Sequence, residues 1–285
     1  MRVIHNFNTN WLFSPEKLSM TESDEKFIPI TLPHTNKIFA HHNVNNQNYQ
    51  FISTYRKRFD YSPENDSDLV FLDFDGVMLA CQVYLNEALI AEHLGGFSPF
   101  SANLTPFINH GENLLTVIVD SREREDVPPF GGLVDYLTFG GIYRDVKLRI
   151  VPQTFIEDVF ITTDTVLNHP SVTCEVEISQ HLPGQTLQAV LKDQHDHTVT
   201  SRTTPVENHS IQIKMDQLEG INLWSLDRPA LYSMTLSLIN NGETIDATTT
   251  RFGFRTAEFR SDGGFYLNGE KIKLFGLNRH QTYPY

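Results

Sequence analysis

The sequence predicts an all-β protein built from two consecutive β-sandwiches, a jelly roll followed by an immunoglobulin-like domain. In many short runs apolar and polar residues alternate with a period of two, the pattern of strands with one buried face. Asn, Gly and Pro stand between these runs, as expected at tight turns. No segment of convincing length repeats apolar residues with the helical period.

The first predicted domain covers residues 1–152. The stretch before Tyr55 has little periodicity and is predicted to be mainly loop. Alternation follows in residues 70–74 and 115–119, and the apolar runs 80–85 and 88–93 flank a short turn. Several half-buried strands separated by turns favour a jelly-roll sandwich.

The second predicted domain covers residues 153–254, where about seven short strands fall within roughly 100 residues, as in immunoglobulin-like sandwiches. Residues 172–178 show the clearest alternation. The two cysteines, Cys81 and Cys174, fall in different predicted domains and form no CxxC pair. We therefore interpret them as buried free thiols, which is typical of a reducing compartment.

The charge balance excludes whole classes of partner. Thirty-five acidic and 22 basic residues give a net charge of −13, which repels nucleic acid and anionic membranes. No apolar run approaches the roughly 20 residues of a membrane span, and the N-terminus lacks an apolar signal core. These features predict a cytoplasmic protein without nucleic-acid or membrane partners.

A third section, residues 255–285, contains a predicted hairpin. The apolar runs 265–267 and 272–275 flank Asn268-Gly269, a pair that supplies the positive φ angles of a type I′ turn. The polar cluster 276–280 follows, and nothing after it would bury the second strand. We expect this section to be the opening of a truncated further domain.

These motifs resemble the domain junction of family 2 glycoside hydrolases, the β-galactosidase and β-glucuronidase group. The motifs that match in order are Gly253-Phe254-Arg255, Leu267-Asn268-Gly269 and Gly276-Leu277-Asn278-Arg279-His280. Gly140-Gly141-Ile142-Tyr143-Arg144 resembles part of the family's N-terminal sugar-binding domain. The run Asn278-Arg279-His280-Gln281 is more similar to the β-galactosidase branch. The resemblance implies that residues 255–285 begin a catalytic (β/α)8 barrel.

The resemblance implies a retaining hydrolase that cleaves terminal β-galactosides and whose parent protein is a homo-oligomer. Such enzymes use two carboxylates, which this family supplies as Glu from the barrel. No Asn-Glu in a barrel context occurs here, so the 285 residues are expected to hold no catalytic residue and to be inactive alone. β-Glucuronidase and β-mannosidase activities remain open. A stand-alone carbohydrate-binding or adhesion protein would explain the all-β pattern equally well.

Five residues are candidate substrate ligands by this resemblance. Asp135, in a Gly- and Pro-rich loop, would bind sugar hydroxyls and a sodium ion once the barrel is present. Asn48 or Gln50 would contribute an amide, and Asn278 and His280 would face the sugar from the first barrel strand. The sequence itself indicates no cofactor, and the resemblance leaves sodium or magnesium open for the full-length parent.

Overall fold

The computed structural model describes residues 1–38, 45, 48–129, 137–261 and 263–278. It divides into two compact units, which are described separately. The first unit contains Val3–Ile150, and the second contains Met1–Arg2 and Val151–Asn278. Within the described residues the only helix is a three-residue 3-10 turn at Asp24–Lys26, and none is long and apolar enough to cross a bilayer.

The first unit is a sandwich of two antiparallel sheets with the strand orders β1-β10-β5-β8 and β3-β2-β4-β9-β6-β7. Its strands are β1 Val3–Asn6, β2 Trp11–Ser14, β3 Ile28–Ile30, β4 Ile52–Tyr61, β5 Leu69–Phe74, β6 Ala80–Leu85, β7 Ala88–Leu94, β8 Phe100–Asn103, β9 Gly111–Asp120 and β10 Val146–Val151. The core includes the fully buried Trp11, Tyr55, Leu72 and Phe74.

The second unit contains an immunoglobulin-like sandwich with the sheet orders β11-β12-β15 and β14-β13-β16-β17. Its strands are β11 Ile156–Asp164, β12 Ser171–Ile178, β13 Thr186–Lys192, β14 Thr198–Pro205, β15 Ser210–Met215, β16 Tyr232–Asn240 and β17 Glu243–Phe252. The apolar residues of β12 are buried while Glu175 and Glu177 are exposed, so the predicted alternation is confirmed. The edge strand β14 consists mostly of Thr, Ser and Arg.

The two predicted sandwiches are confirmed, but the mainly loop N-terminus was a wrong prediction. Residues before Tyr55 contain β1, β2, β3 and the start of β4. Strand β1 has no buried residue, and β2 and β3 are very short, so none shows a readable alternation. Long-range pairing holds them instead, since β1 pairs with β10 and β2 with β4.

The C-terminal hairpin is confirmed in its turn and corrected in its extent. Asn268 and Gly269 have φ angles of 52° and 81°, as a type I′ turn needs. The strands around the turn are β19 Gly264–Leu267 and β20 Glu270–Ile272, so residues 273–275 lie outside the second strand. An unpredicted strand, β18 Ala257–Arg260, pairs with β19.

Candidate functional site

The structure describes three of the five predicted site residues. Asn278 is exposed in the second unit, and Asn48 and Gln50 lie just before β4 in the first unit. Asn48 is exposed and its backbone N–H donates to the carbonyl of Asn45 at 2.8 Å. Asp135 and His280 lie outside the described residues, so their roles stay predictions.

The buried side chain of Tyr49 anchors the segment that carries Asn48 and Gln50. Tyr49 is 3% exposed, and its ring centroid lies 6.2 Å from that of Phe139. Burial raises the pKa of the Tyr49 hydroxyl, and the carboxylate of Glu123 raises it further. Hydrogen bonds with the side chains of Thr138 and Gln50 act in the opposite direction. Gln50 is therefore oriented by a buried phenol that also binds the chain just after residue 136.

A buried polar pair, Asn36 and Ser121, joins this segment to two others. The Asn36 side-chain N–H donates to the carbonyl of Tyr49 at 3.0 Å and to the Ser121 hydroxyl at 2.9 Å. The Ser121 hydroxyl lies 2.8 Å from the Phe51 carbonyl and accepts from the Phe51 N–H at 3.1 Å. The Asn36 Oδ1 has no partner among the described residues, but the Asn36 side-chain N–H group and the Ser121 hydroxyl are both paired. These bonds favour a single arrangement, because breaking them would leave buried polar groups unpaired at a cost in free energy.

The chain that follows residue 136 is clamped to the same base by Gly140 and Gly141. The Asn36 N–H donates to the Gly140 carbonyl at 2.8 Å, and Gly141 exchanges backbone hydrogen bonds with Met78 at 3.0 and 3.1 Å. Gly141 has a φ of +117°, and a Cβ there would lie 2.5 Å from the Tyr55 hydroxyl. Glycine is therefore required where the backbone passes this closely. We call Asn36, Tyr49, Ser121, Gly140 and Gly141 the loop base.

The sequence patterns do not predict the loop base, although one part of it is visible as a motif. Gly140-Gly141 stood out only as a motif with a structural role. Asn36 and Ser121 are 85 positions apart, and no periodic pattern marks a polar contact over that distance. The loop base brings the segment of Asn48 and Gln50 next to the chain that leads from Asp135.

The general acid of a glycoside hydrolase has a raised pKa, and the described carboxylates with a shifted pKa differ from such a group. Every described Asp or Glu whose pKa departs from its ordinary value is shifted downwards. Asp73 shows why: burial raises its pKa, but hydrogen bonds from Arg149 and Ser101 outweigh burial. In the described ranges no three His, Cys, Asp or Glu side chains are grouped as a metal site would require.

Comparisons with known proteins place both units in one family. Residues 26–152 match glycosyl hydrolases family 2, sugar binding domain, and residues 154–255 match glycosyl hydrolases family 2. The chain is 40% identical over its whole length to a β-galactosidase of Thermoanaerobacter pseudethanolicus, covering 39% of that protein. It is 31% identical over 99% of its length to a putative β-glucuronidase of Formosa agariphila, covering 35% of that protein.

Solved structures agree with these matches. The crystal structure of Bacteroides uniformis β-glucuronidase superimposes on 99% of this chain with a TM-score of 0.87 and 26% identity, over 36% of that protein. A putative β-galactosidase from Bacteroides fragilis superimposes with a TM-score of 0.84, also at 26% identity, over 99% of this chain and 45% of that protein. The chain spans about two fifths of the length of the curated β-galactosidases that it matches. The chain therefore belongs to family 2 of the glycosyl hydrolases and contains its sugar-binding and immunoglobulin-like domains.

Proposed function

We propose that the chain is the N-terminal, non-catalytic part of a retaining glycoside hydrolase that cleaves terminal β-galactosides. The observation that carries this proposal is the 40% identity, over the whole chain, to a protein named β-galactosidase. In this proposal the loop base holds two arms, around Gln50 and Asp135, that reach the sugar. The two catalytic Glu residues come from sequence beyond these 285 residues.

A β-glucuronidase is the second candidate, because proteins of that name share the fold and up to 31% identity. A glucuronide is anionic, and a chain with a net charge of −13 suits a neutral galactoside better. Local charge at the sugar decides this choice, so a direct substrate comparison is needed.

The test compares the complete gene product that contains these residues with the 285 residues alone. Both are incubated with p-nitrophenyl β-galactoside, β-glucuronide and β-mannoside. We expect the complete gene product to cleave the galactoside with the highest kcat/KM and to retain the anomeric configuration, as followed by NMR. The 285 residues alone should cleave none. Preference for the glucuronide, or hydrolysis by the 285 residues, would overturn the proposal.

The role of the Asp135 arm is tested in the complete gene product by Asp135→Asn. Loss of hydrogen bonds to the substrate should lower kcat/KM for the galactoside by about tenfold or more, or about 1.4 kcal/mol. Asp126→Asn is the matched control, because this exposed carboxylate in the same stretch contacts Arg124 at 2.8 Å and is proposed to have no role at the sugar. Equal effects of the two substitutions would contradict a substrate role for Asp135.

A further inference from the structure

The outward face of the six-stranded sheet carries an open groove of about 460 Å³. Its floor is formed by alternate residues of two neighbouring strands, Ala80 and Gln82 on β6 and Ile118 and Asp120 on β9. The residues between them, Cys81 and Val119, belong to the hydrophobic core, and Cys81 also borders the groove. The walls are Lys17, Ile52, Glu92, Leu94, Arg122 and Arg124.

The groove exists because a covering segment, residues 15–27, crosses only part of this face. The hydroxyl of Thr54 donates to the Glu16 carbonyl at 2.8 Å and accepts from the Leu18 N–H at 2.9 Å. Thr54 is opposite Ile118 in the sheet register, so the cover reaches the β4–β9 boundary. From there Lys17 forms one wall, and the surface of β9, β6 and β7 stays open.

Four of the polar side chains that line the groove are hydrogen-bonded to one another in pairs. The Gln82 amide donates to the Glu92 carboxylate at 2.7 Å, and its carbonyl oxygen accepts from the Tyr84 hydroxyl at 3.2 Å. Arg122 binds Asp120 through two N–H donors at 2.7 and 2.9 Å. Such pairs present planar donors and acceptors whose orientation is set before a ligand arrives.

The character of this lining selects a class of ligand. The lining contains both signs of charge, with Lys17, Arg122 and Arg124 beside Glu92 and Asp120, and Arg122 is paired with Asp120. It therefore offers donors and acceptors together instead of one sign of charge, and a purely apolar ligand would remove these polar groups from water without hydrogen bonds in return. A neutral ligand with many hydroxyl groups satisfies both donors and acceptors, and its apolar faces fit over Ala80 and Ile118. The volume lies in the range of ordinary small-molecule sites, about 300–1,000 Å³.

We propose that this groove is a binding site for a neutral oligosaccharide. The proposal extends the proposed function by giving the first unit a saccharide ligand of its own. It agrees with the match of residues 26–152 to a sugar binding domain, a description that assigns no surface to the ligand. The test measures saccharide binding and not hydrolysis. The groove proposal and the proposed β-galactoside hydrolase function can therefore succeed or fail independently of each other.

The experiment titrates the 285-residue chain with β-1,4-galactotetraose, and with tetragalacturonate as the anionic comparison. Binding is followed by saturation-transfer difference NMR and by hydrogen exchange. We expect binding of the neutral saccharide only, together with slower exchange in peptides covering residues 80–94 and 115–124. Gln82→Ala removes a central polar group and should weaken binding by about tenfold.

Gln212→Ala is the matched control, because Gln212 is an exposed glutamine on β15 of the other unit. It should leave the affinity unchanged. Glu92→Gln is the second groove variant: it keeps the shape of the side chain, should also weaken binding, and guards against misfolding of Gln82→Ala. Thermal unfolding curves check that each variant is folded. The proposal is overturned by no binding at concentrations on the order of 10 mM, by preference for tetragalacturonate, or by affinities that neither groove variant changes.

Discussion

Arg56 is expected to be the main support of the covering segment. Its guanidinium is fully buried and donates to the carbonyls of Ser19, Met20 and Glu22 at 2.7 to 3.0 Å and to Asp24 at 2.6 Å. Arg56→Met leaves those acceptors without their cation. Removing one partner of a buried ion pair costs about 3–5 kcal/mol. We expect about 3 kcal/mol here, because Asp24 keeps 35% of its side chain in water.

Arg58→Met is the matched control, because Arg58 binds the other oxygen of the same carboxylate at 2.8 Å. Its side chain is 46% exposed, and exposed pairs contribute about 0–1 kcal/mol. Urea unfolding would be followed by Trp11 fluorescence in a Trp224→Phe background, since the chain has two tryptophans. Hydrogen exchange in peptides covering residues 15–27 would show whether the cover is released. Equal losses for the two variants, within about 0.5 kcal/mol, would refute the reasoning.

The same carboxylate adds a pH dependence. The hydrogen bond from Arg58 lowers the pKa of Asp24, burial raises it, and the bond from Arg56 lowers it further, with a net downward shift. A carboxyl whose pKa is lower in the folded chain stabilises the fold above its ordinary pKa of about 4 and loses that contribution as the pH falls. Asp24→Asn should therefore reduce the loss of stability on acidification, as measured by unfolding curves at several pH values. An unchanged pH profile would contradict this assignment.

Three further predictions concern the loop base, the thiols and the C-terminal hairpin. Gly141→Ala should destabilise the first unit by about 3 kcal/mol or more, because its φ is positive and the added Cβ would lie 2.5 Å from the Tyr55 hydroxyl. Gly111 also has a positive φ, but a Cβ there would meet no atom within 4 Å. Gly111→Ala should therefore cost only about 1–2 kcal/mol in the same unfolding assay. Burial raises the pKa of the Cys81 thiol to about 12 and that of Cys174 to about 11. Neither thiol should therefore react with Ellman's reagent at pH 8 until urea unfolds the chain. Rapid labelling of the folded chain would contradict the burial of these thiols. Phe275 is 85% exposed within an apolar stretch, so the 285-residue chain should self-associate in sedimentation-velocity experiments. Phe275→Ser should reduce this self-association. A strictly monomeric chain at high concentration would contradict the prediction.

Much of the fold follows from local patterns, and the misses have physical causes. Strand β12 was predictable because one of its faces is buried and the other is in water. Strand β1 was not, because all four of its residues are exposed and its pairing with β10 joins distant parts of the chain. The Asn268-Gly269 turn was predictable because its backbone angles depend on those two residues alone.

The candidate site was less predictable than the fold. The family resemblance indicates Asn48 and Gln50, whereas the buried Tyr49 between them is the residue that fixes the segment. Polar networks such as Asn36 with Ser121 join residues that only the tertiary fold brings together. The groove likewise depends on where the covering segment stops, which no local pattern specifies. The roles of Asp135 and His280 stay predictions.

Two edge strands, β3 in the first sandwich and β14 in the second, have a consequence for how the protein would aggregate. An open sheet edge is a template for adding further strands, as in amyloid. Pro29 removes a donor from β3 at one edge, and β14 offers mostly hydroxyl side chains and Arg202 at another. We therefore expect the 285-residue chain to associate through the apolar side chains near Phe275 and not through these two edges. The resulting clusters should dissolve on dilution and should not bind thioflavin T.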